Sequence, residues 1–84
     1  MVEMLTDEQV KANVAANVPR LLVERRMTQK QLAERTGDPQ MTISAMCRGL
    51  YVPGAGLITR VAEALDVSTD RLTGSPPEFS RRAS

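Results

Sequence analysis

Residues 29–48, QKQLAERTGDPQMTISAMCR, constrain the fold of this chain more than any other stretch. Their pattern predicts two short helices joined by a tight turn. Ala33 stands where the helices would cross, and two backbones that approach closely require a small side chain there. Gly37 stands at the turn, where the chain favours the positive φ that glycine adopts without steric cost. Ile43 provides the apolar side chain that the second helix must bury.

Residues typical of helix ends mark the boundaries of both helices. Thr28 and Gln31 form a capping box before the first helix. Asp38 and Pro39 predict that the second helix begins with a capping carboxylate and a proline at the first helical position. Gly49 predicts the end of that helix. We therefore expect a helix-turn-helix over about residues 28–48.

The rest of the chain also favours helices, because its β-branched residues never alternate over a long run. The capping box of Thr6 and Gln9 predicts a first helix to about residue 26, which Pro19 either kinks or breaks near Asn17. Ser68 is expected to cap a last short helix. We thus predict a compact all-α fold of five helices. A fourth helix, at about 55–65, is expected to bury Ala55, Ile58, Val61, Ala62 and Leu65.

The domain organisation follows from length and local composition. A chain of 84 residues makes one domain with a thin core. We assign residues 1–13 to a helical extension, 14–73 to the helix-turn-helix domain and 74–84 to a Pro- and Ser-rich tail that is expected to be mobile.

Composition argues against several classes of protein. The chain has no histidine and one cysteine, so it offers no internal disulfide, no Cys/His or Ser/His pair and no Cys/His metal set. We expect no enzyme activity and no cofactor. Apolar runs are short and the N-terminus is acidic, which predicts neither a membrane span nor a secretory signal. The single cysteine favours the reducing cytoplasm.

From residue 14 to residue 72 the sequence resembles the lambda-repressor-like (Cro/repressor-type) helix-turn-helix family. The resemblance is carried by MTQKQLAERTG, by TIS, by Gly49 with Pro53 four residues on, and by ITRVAEALDVSTDRL. It implies that the second helix of the motif lies in the major groove of double-stranded DNA. It also implies a sequence-specific regulator of transcription, most simply a repressor that binds a palindromic operator as a homodimer.

The resemblance also suggests which residues contact DNA. Among the base contacts, the Gln40 amide suits an adenine edge best, because it both donates and accepts. Positive charge supports the phosphate contacts, since residues 20–50 hold six basic and three acidic side chains. The expected base contacts are Gln40, Met41, Thr42 and Ala45, and the expected phosphate contacts are Arg25, Arg26, Gln29, Lys30, Ser44, Arg48 and Tyr51.

Two departures from the family pattern favour a second hypothesis. Cys47 stands where the family often has Glu, and the loop of Leu50, Tyr51 and Val52 is apolar where the family often has basic residues. The net charge is only +1. The alternative is therefore a protein-interaction module that reuses the fold, such as an adaptor, an antirepressor or the antitoxin of a toxin.

Overall fold

The computed structural model describes residues 5–75, and the described chain contains five helices and no strand. The all-α prediction is therefore confirmed. Residues 1–4 and 76–84, which include most of the predicted tail, lie outside the described part. No helix within residues 5–75 combines the length and apolar character that crossing a membrane requires. The helices are α1 (Asp7–Arg25), α2 (Gln29–Thr36), α3 (Gln40–Cys47), α4 (Ala55–Leu65) and α5 (Thr69–Thr73).

Helix α1 runs without a break through Pro19, so the alternative of two helices divided near Asn17 was wrong. Asn17 is itself buried and helical, and the adjacent Val18 is fully buried in the core. This packing keeps the segment helical although proline removes one backbone donor. The helix begins with the predicted capping box: Gln9 N–H donates to Thr6 Oγ1 over 3.1 Å, and Thr6 N–H donates to Gln9 Oε1 over 2.8 Å.

All five helices contribute to the core, which consists almost entirely of aliphatic side chains. Helix α1 packs against α3 and α5, while α2 packs against α3 and α4. Helices α1 and α2 therefore both cover the inner face of α3. The fully buried large side chains are Val14, Val18, Leu21, Leu32, Ile43, Met46, Val61, Leu65 and Leu72.

Helix α4 buries a slightly different stripe from the one predicted. Val61, Ala62 and Leu65 are buried and Ile58 is half-buried, as expected. Ala55, however, is exposed, and the buried residue of the first turn is Leu57. Residues four apart share one helix face, so Leu57 continues the stripe of residues 61 and 65, whereas residue 55 lies off it.

The end of α5 is held by amide side chains of α1. Asn17 Nδ2 donates to the carbonyl oxygens of Leu72 and Gly74, at 2.9 and 2.8 Å. One turn earlier, Asn13 Nδ2 donates to the carbonyl oxygen of Thr73 over 2.8 Å. The last carbonyls of a helix have no partner within it, so these bonds satisfy groups at the end of α5 that are buried or partly buried.

Candidate nucleic-acid interface

The turn between α2 and α3 has the geometry that the sequence predicts. Gly37 adopts a φ of 80°, and its N–H donates to the carbonyl oxygen of Ala33. The Thr36 hydroxyl donates to the same oxygen and accepts from Asp38 N–H, both at 3.3 Å. Ala33 is buried where α2 and α3 meet. Together these bonds fix the direction in which α3 leaves the turn.

Asp38 does not cap α3, so that prediction was wrong. Helix α3 begins at Gln40 with Pro39 as its N-cap residue, and no side chain caps it. The Asp38 carboxylate instead faces Arg60 of α4, which donates to it from Nε over 3.1 Å and from Nη2 over 2.9 Å. A paired, charge-assisted hydrogen bond is stronger than a single bond from a backbone N–H. The hydrogen bonds from Arg60 lower the pKa of Asp38 below its ordinary value.

The four predicted base-contact residues share α3, but they differ in accessibility. Gln40 is exposed at the first position of the helix, and Met41 is 82% exposed. Thr42 and Ala45 are half-buried. The opposite face of α3 is formed by Ile43 and Met46, which are buried in the core. The outer surface of α3 is therefore available to a ligand, with Gln40 and Met41 the most accessible.

The structure brings the start of α2 close to the start of α3. Lys30 and Gln40 line one open cavity of about 370 Å³, which is also lined by Gly37 and Asp38. Lys30 is exposed, and Gln29, the first residue of α2, is half-buried. A predicted phosphate contact and the strongest predicted base contact thus lie at the same opening.

Tyr51 and Arg25 have internal partners that the sequence does not reveal. The Tyr51 hydroxyl donates to the carbonyl oxygen of Thr42 over 3.3 Å. Burial, followed by the negative charge of Asp38 and that of the Cys47 thiol once it ionises, raises the pKa of that hydroxyl, which stays a neutral donor at pH 7. Arg25 Nε donates to the carbonyl oxygen of Leu65 over 2.8 Å and so satisfies the end of α4.

The other predicted phosphate contacts are distributed around the motif. Arg48 is exposed immediately after α3, and Ser44 is half-buried within it. Arg26 is exposed and ends α1 with a φ of 55°. The phosphate contacts expected of these three residues stay predictions.

Cys47 and the following loop show where the two departures from the family pattern lie. Cys47 is buried, and burial raises the pKa of its thiol to about 11. In the loop, Tyr51 packs against the core, whereas Leu50 is 60% exposed. Pro53, which stands four residues after Gly49 in the family motif, is buried.

Comparison with known proteins agrees with this geometry. A helix-turn-helix family model of the lambda-repressor/Cro type matches residues 20–72. The chain belongs to this helix-turn-helix family. It is also similar in structure to a hypothetical transcription factor NHTF from Neisseria, with a TM-score of 0.79 and 24% identity over 98% of this chain and 94% of that one. No curated protein sequence matches the chain.

This helix-turn-helix protein has two polar features that sequence analysis missed. The buried role of Asn17 could have been inferred from the sequence, because Asn13 and Asn17 are four residues apart on the same side of α1 as Val14 and Val18. No sequence pattern indicates the ion pair of Asp38 with Arg60, since 22 residues separate its partners.

Proposed function

We propose that this protein is a sequence-specific DNA-binding regulator of transcription, most simply a cytoplasmic repressor that binds a palindromic operator as a homodimer. The observation that carries the proposal is the two-sidedness of α3. Its inner face, with Ile43 and Met46, is anchored in the core, while Gln40 and Met41 are exposed on its outer face. Membership of the lambda-repressor/Cro-type family supports DNA as the partner of that outer face.

In the proposed complex α3 enters the major groove, with its first turn nearest the base edges. The Gln40 amide pairs with an adenine, donating from its nitrogen and accepting at its oxygen. Thr42 and Ala45 are less exposed than Gln40, so they contact bases only where the groove lies close against α3. Lys30 and the N-terminus of α2 hold a phosphate beside Gln40, because unpaired N–H groups and the helix dipole favour an anion there.

The small size of the reading surface supports the proposed homodimer. One helix of eight residues reads only a few base pairs, so a second copy is needed to lengthen the site. Two-fold symmetry then matches a palindromic operator. Occupation of a promoter by the bound dimer is the simplest mechanism of repression. Within the described residues no cluster of His, Cys, Asp and Glu could hold a metal.

The proposal is tested by selecting bound duplexes from a random pool. We expect recovery of one palindromic site, and a logarithm of affinity that falls steeply with the logarithm of salt concentration. Sedimentation with the selected duplex should give two chains per site. A pool without enrichment, or one chain on an asymmetric site, would contradict sequence-specific or dimeric binding respectively.

A protein-interaction module is the second candidate, and the exposed apolar side chains of Met41 and Leu50 favour it. Apolar side chains cannot form the hydrogen bonds by which phosphates are held, and they suit the surface of another protein such as a toxin. Binding to a random duplex at low salt separates the two candidates. The affinity of a DNA-binding protein for the duplex falls steeply with salt concentration, whereas an adaptor does not bind the duplex even at low salt.

A further inference from the structure

We propose that Arg60 is a positioning residue for the DNA-binding face: it holds the Asp38 carboxylate against α4 and away from the first turn of α3. The inference rests on the proposed function and extends it to a residue outside the helix-turn-helix. Without Arg60, the carboxylate would be free to turn towards Gln40 and would place a negative charge where DNA phosphates approach.

The contact between the two side chains is specific in its geometry. Arg60 engages both carboxylate oxygens of Asp38, Oδ2 from Nε and Oδ1 from Nη2, at 3.1 and 2.9 Å. This planar pairing fixes the direction of the carboxylate and also compensates its negative charge. The Asp38 side chain is only 15% exposed, whereas that of Arg60 is 47% exposed. The guanidinium therefore covers the carboxylate from the solvent side.

The preceding turn of α4 leaves room for the guanidinium. A Cβ atom at Gly56 would lie 3.3 Å from Arg60 Nη1. Glycine is less favourable in a helix than alanine. Its place here allows the Arg60 side chain to lie along the helix towards the turn before α3.

The surroundings of Asp38 show why its direction matters for DNA. Asp38, Lys30 and Gln40 line the same open cavity. No side chain caps the N–H groups of Gln40 and Met41, whereas Thr42 N–H already donates to the carbonyl oxygen of Pro39 over 3.0 Å. A carboxylate released from Arg60 is attracted to those groups and to the positive end of the helix dipole. It would then lie beside Gln40 and compete with the DNA phosphate for Lys30.

A direct contact between Arg60 and phosphate is the main competing explanation, and a double-mutant cycle separates the two. The variants are Arg60→Gln, Asp38→Ala and the combination of both. Arg71→Gln is the matched control, because Arg71 is an exposed arginine of α5, which packs against α1 and α4. Thermal unfolding of each variant identifies any loss of folded protein before binding is measured.

We expect Arg60→Gln to weaken binding to a random duplex and to the selected site by about fivefold at low salt, as an unpaired charge near phosphate would. The loss should shrink as salt screens that charge. Asp38→Ala alone and the double variant should both bind within about twofold of the wild type, since neither keeps the carboxylate. A double variant as weak as Arg60→Gln would overturn the inference and assign Arg60 to phosphate contact. Equal losses from Asp38→Ala and Arg60→Gln would also overturn it, by showing that the pair only stabilises the fold.

A measurement without DNA separates this inference from the proposed function. In Arg60→Gln, the backbone amide resonances of Gln40 and Met41 should move as the carboxylate approaches, and Asp38→Ala in the same chain should reverse the change. Unmoved amides would overturn the positioning role. A wild-type chain that binds no duplex would overturn the proposed function, whatever the amides show.

Discussion

At the scale of single residues, Ile43 decides which face of α3 points outwards. Its side chain is fully buried, although Met41 and Thr42 beside it are accessible. Ile43→Ala deletes buried methyl groups and should lower the free energy of unfolding by about 2–5 kcal/mol, measured by denaturant titration. Met41→Ala is the matched control and should change stability by no more than about 0.5 kcal/mol. Equal effects of the two substitutions would mean that α3 is rotated.

Cys47 gives a prediction about thiol reactivity. Burial raises the pKa of its thiol from 9.0 to about 11 in the folded protein. Because the neutral form is favoured by folding, the associated stability is complete below pH 9.0 and is lost as the pH rises through about 11. At pH 8 a thiol reagent should therefore react far more slowly with the folded chain than with the chain unfolded in urea. Equal rates would contradict the buried position.

At the scale of helices, local capping explains why most boundaries were predicted correctly. Thr28 caps α2 through a complete capping box, with Gln31 N–H donating to its hydroxyl over 3.0 Å. Thr28→Ala should cost about 1 kcal/mol of stability, measured by thermal or denaturant unfolding. Ser68 is the matched control, because it stands at the N-cap position of α5 but, contrary to the prediction, forms no side-chain capping bond. Ser68→Ala should have little effect, and a cost equal to that of Thr28→Ala would contradict the assigned bonds.

The helix boundary that was predicted wrongly shows what local sequence omits. Asp38 followed by Pro39 is a pair of residues typical of the start of a helix. The carboxylate nevertheless binds Arg60, a residue on another helix that only folding brings near. Tyr51 and Arg25 likewise form bonds that local sequence does not reveal, to backbone oxygens of Thr42 and Leu65, and their expected phosphate contacts stay predictions.

At the scale of the whole molecule, the fold was predictable because its signals are periodic and local. The buried faces of α1, α2 and α3 follow directly from the spacing of aliphatic residues. The N-terminal extension forms part of α1, as its capping box predicts. Residues 7–13 are the first turns of α1, and Val10 packs against the core. Although the family model begins at residue 20, the likeness to the Neisseria protein covers 98% of the chain, so that protein aligns with nearly all of it.

The central claim is that the outer face of α3 reads bases, and Gln40 tests it most directly. Gln40→Ala removes one amide from an exposed position without disturbing the core. The measurement is the affinity of the wild type and the variant for the selected site and for a scrambled duplex, at several salt concentrations. We predict that the variant loses about 1–3 kcal/mol on the selected site and almost nothing on the scrambled duplex. Equal losses on both duplexes, or no loss on either, would contradict base reading by α3.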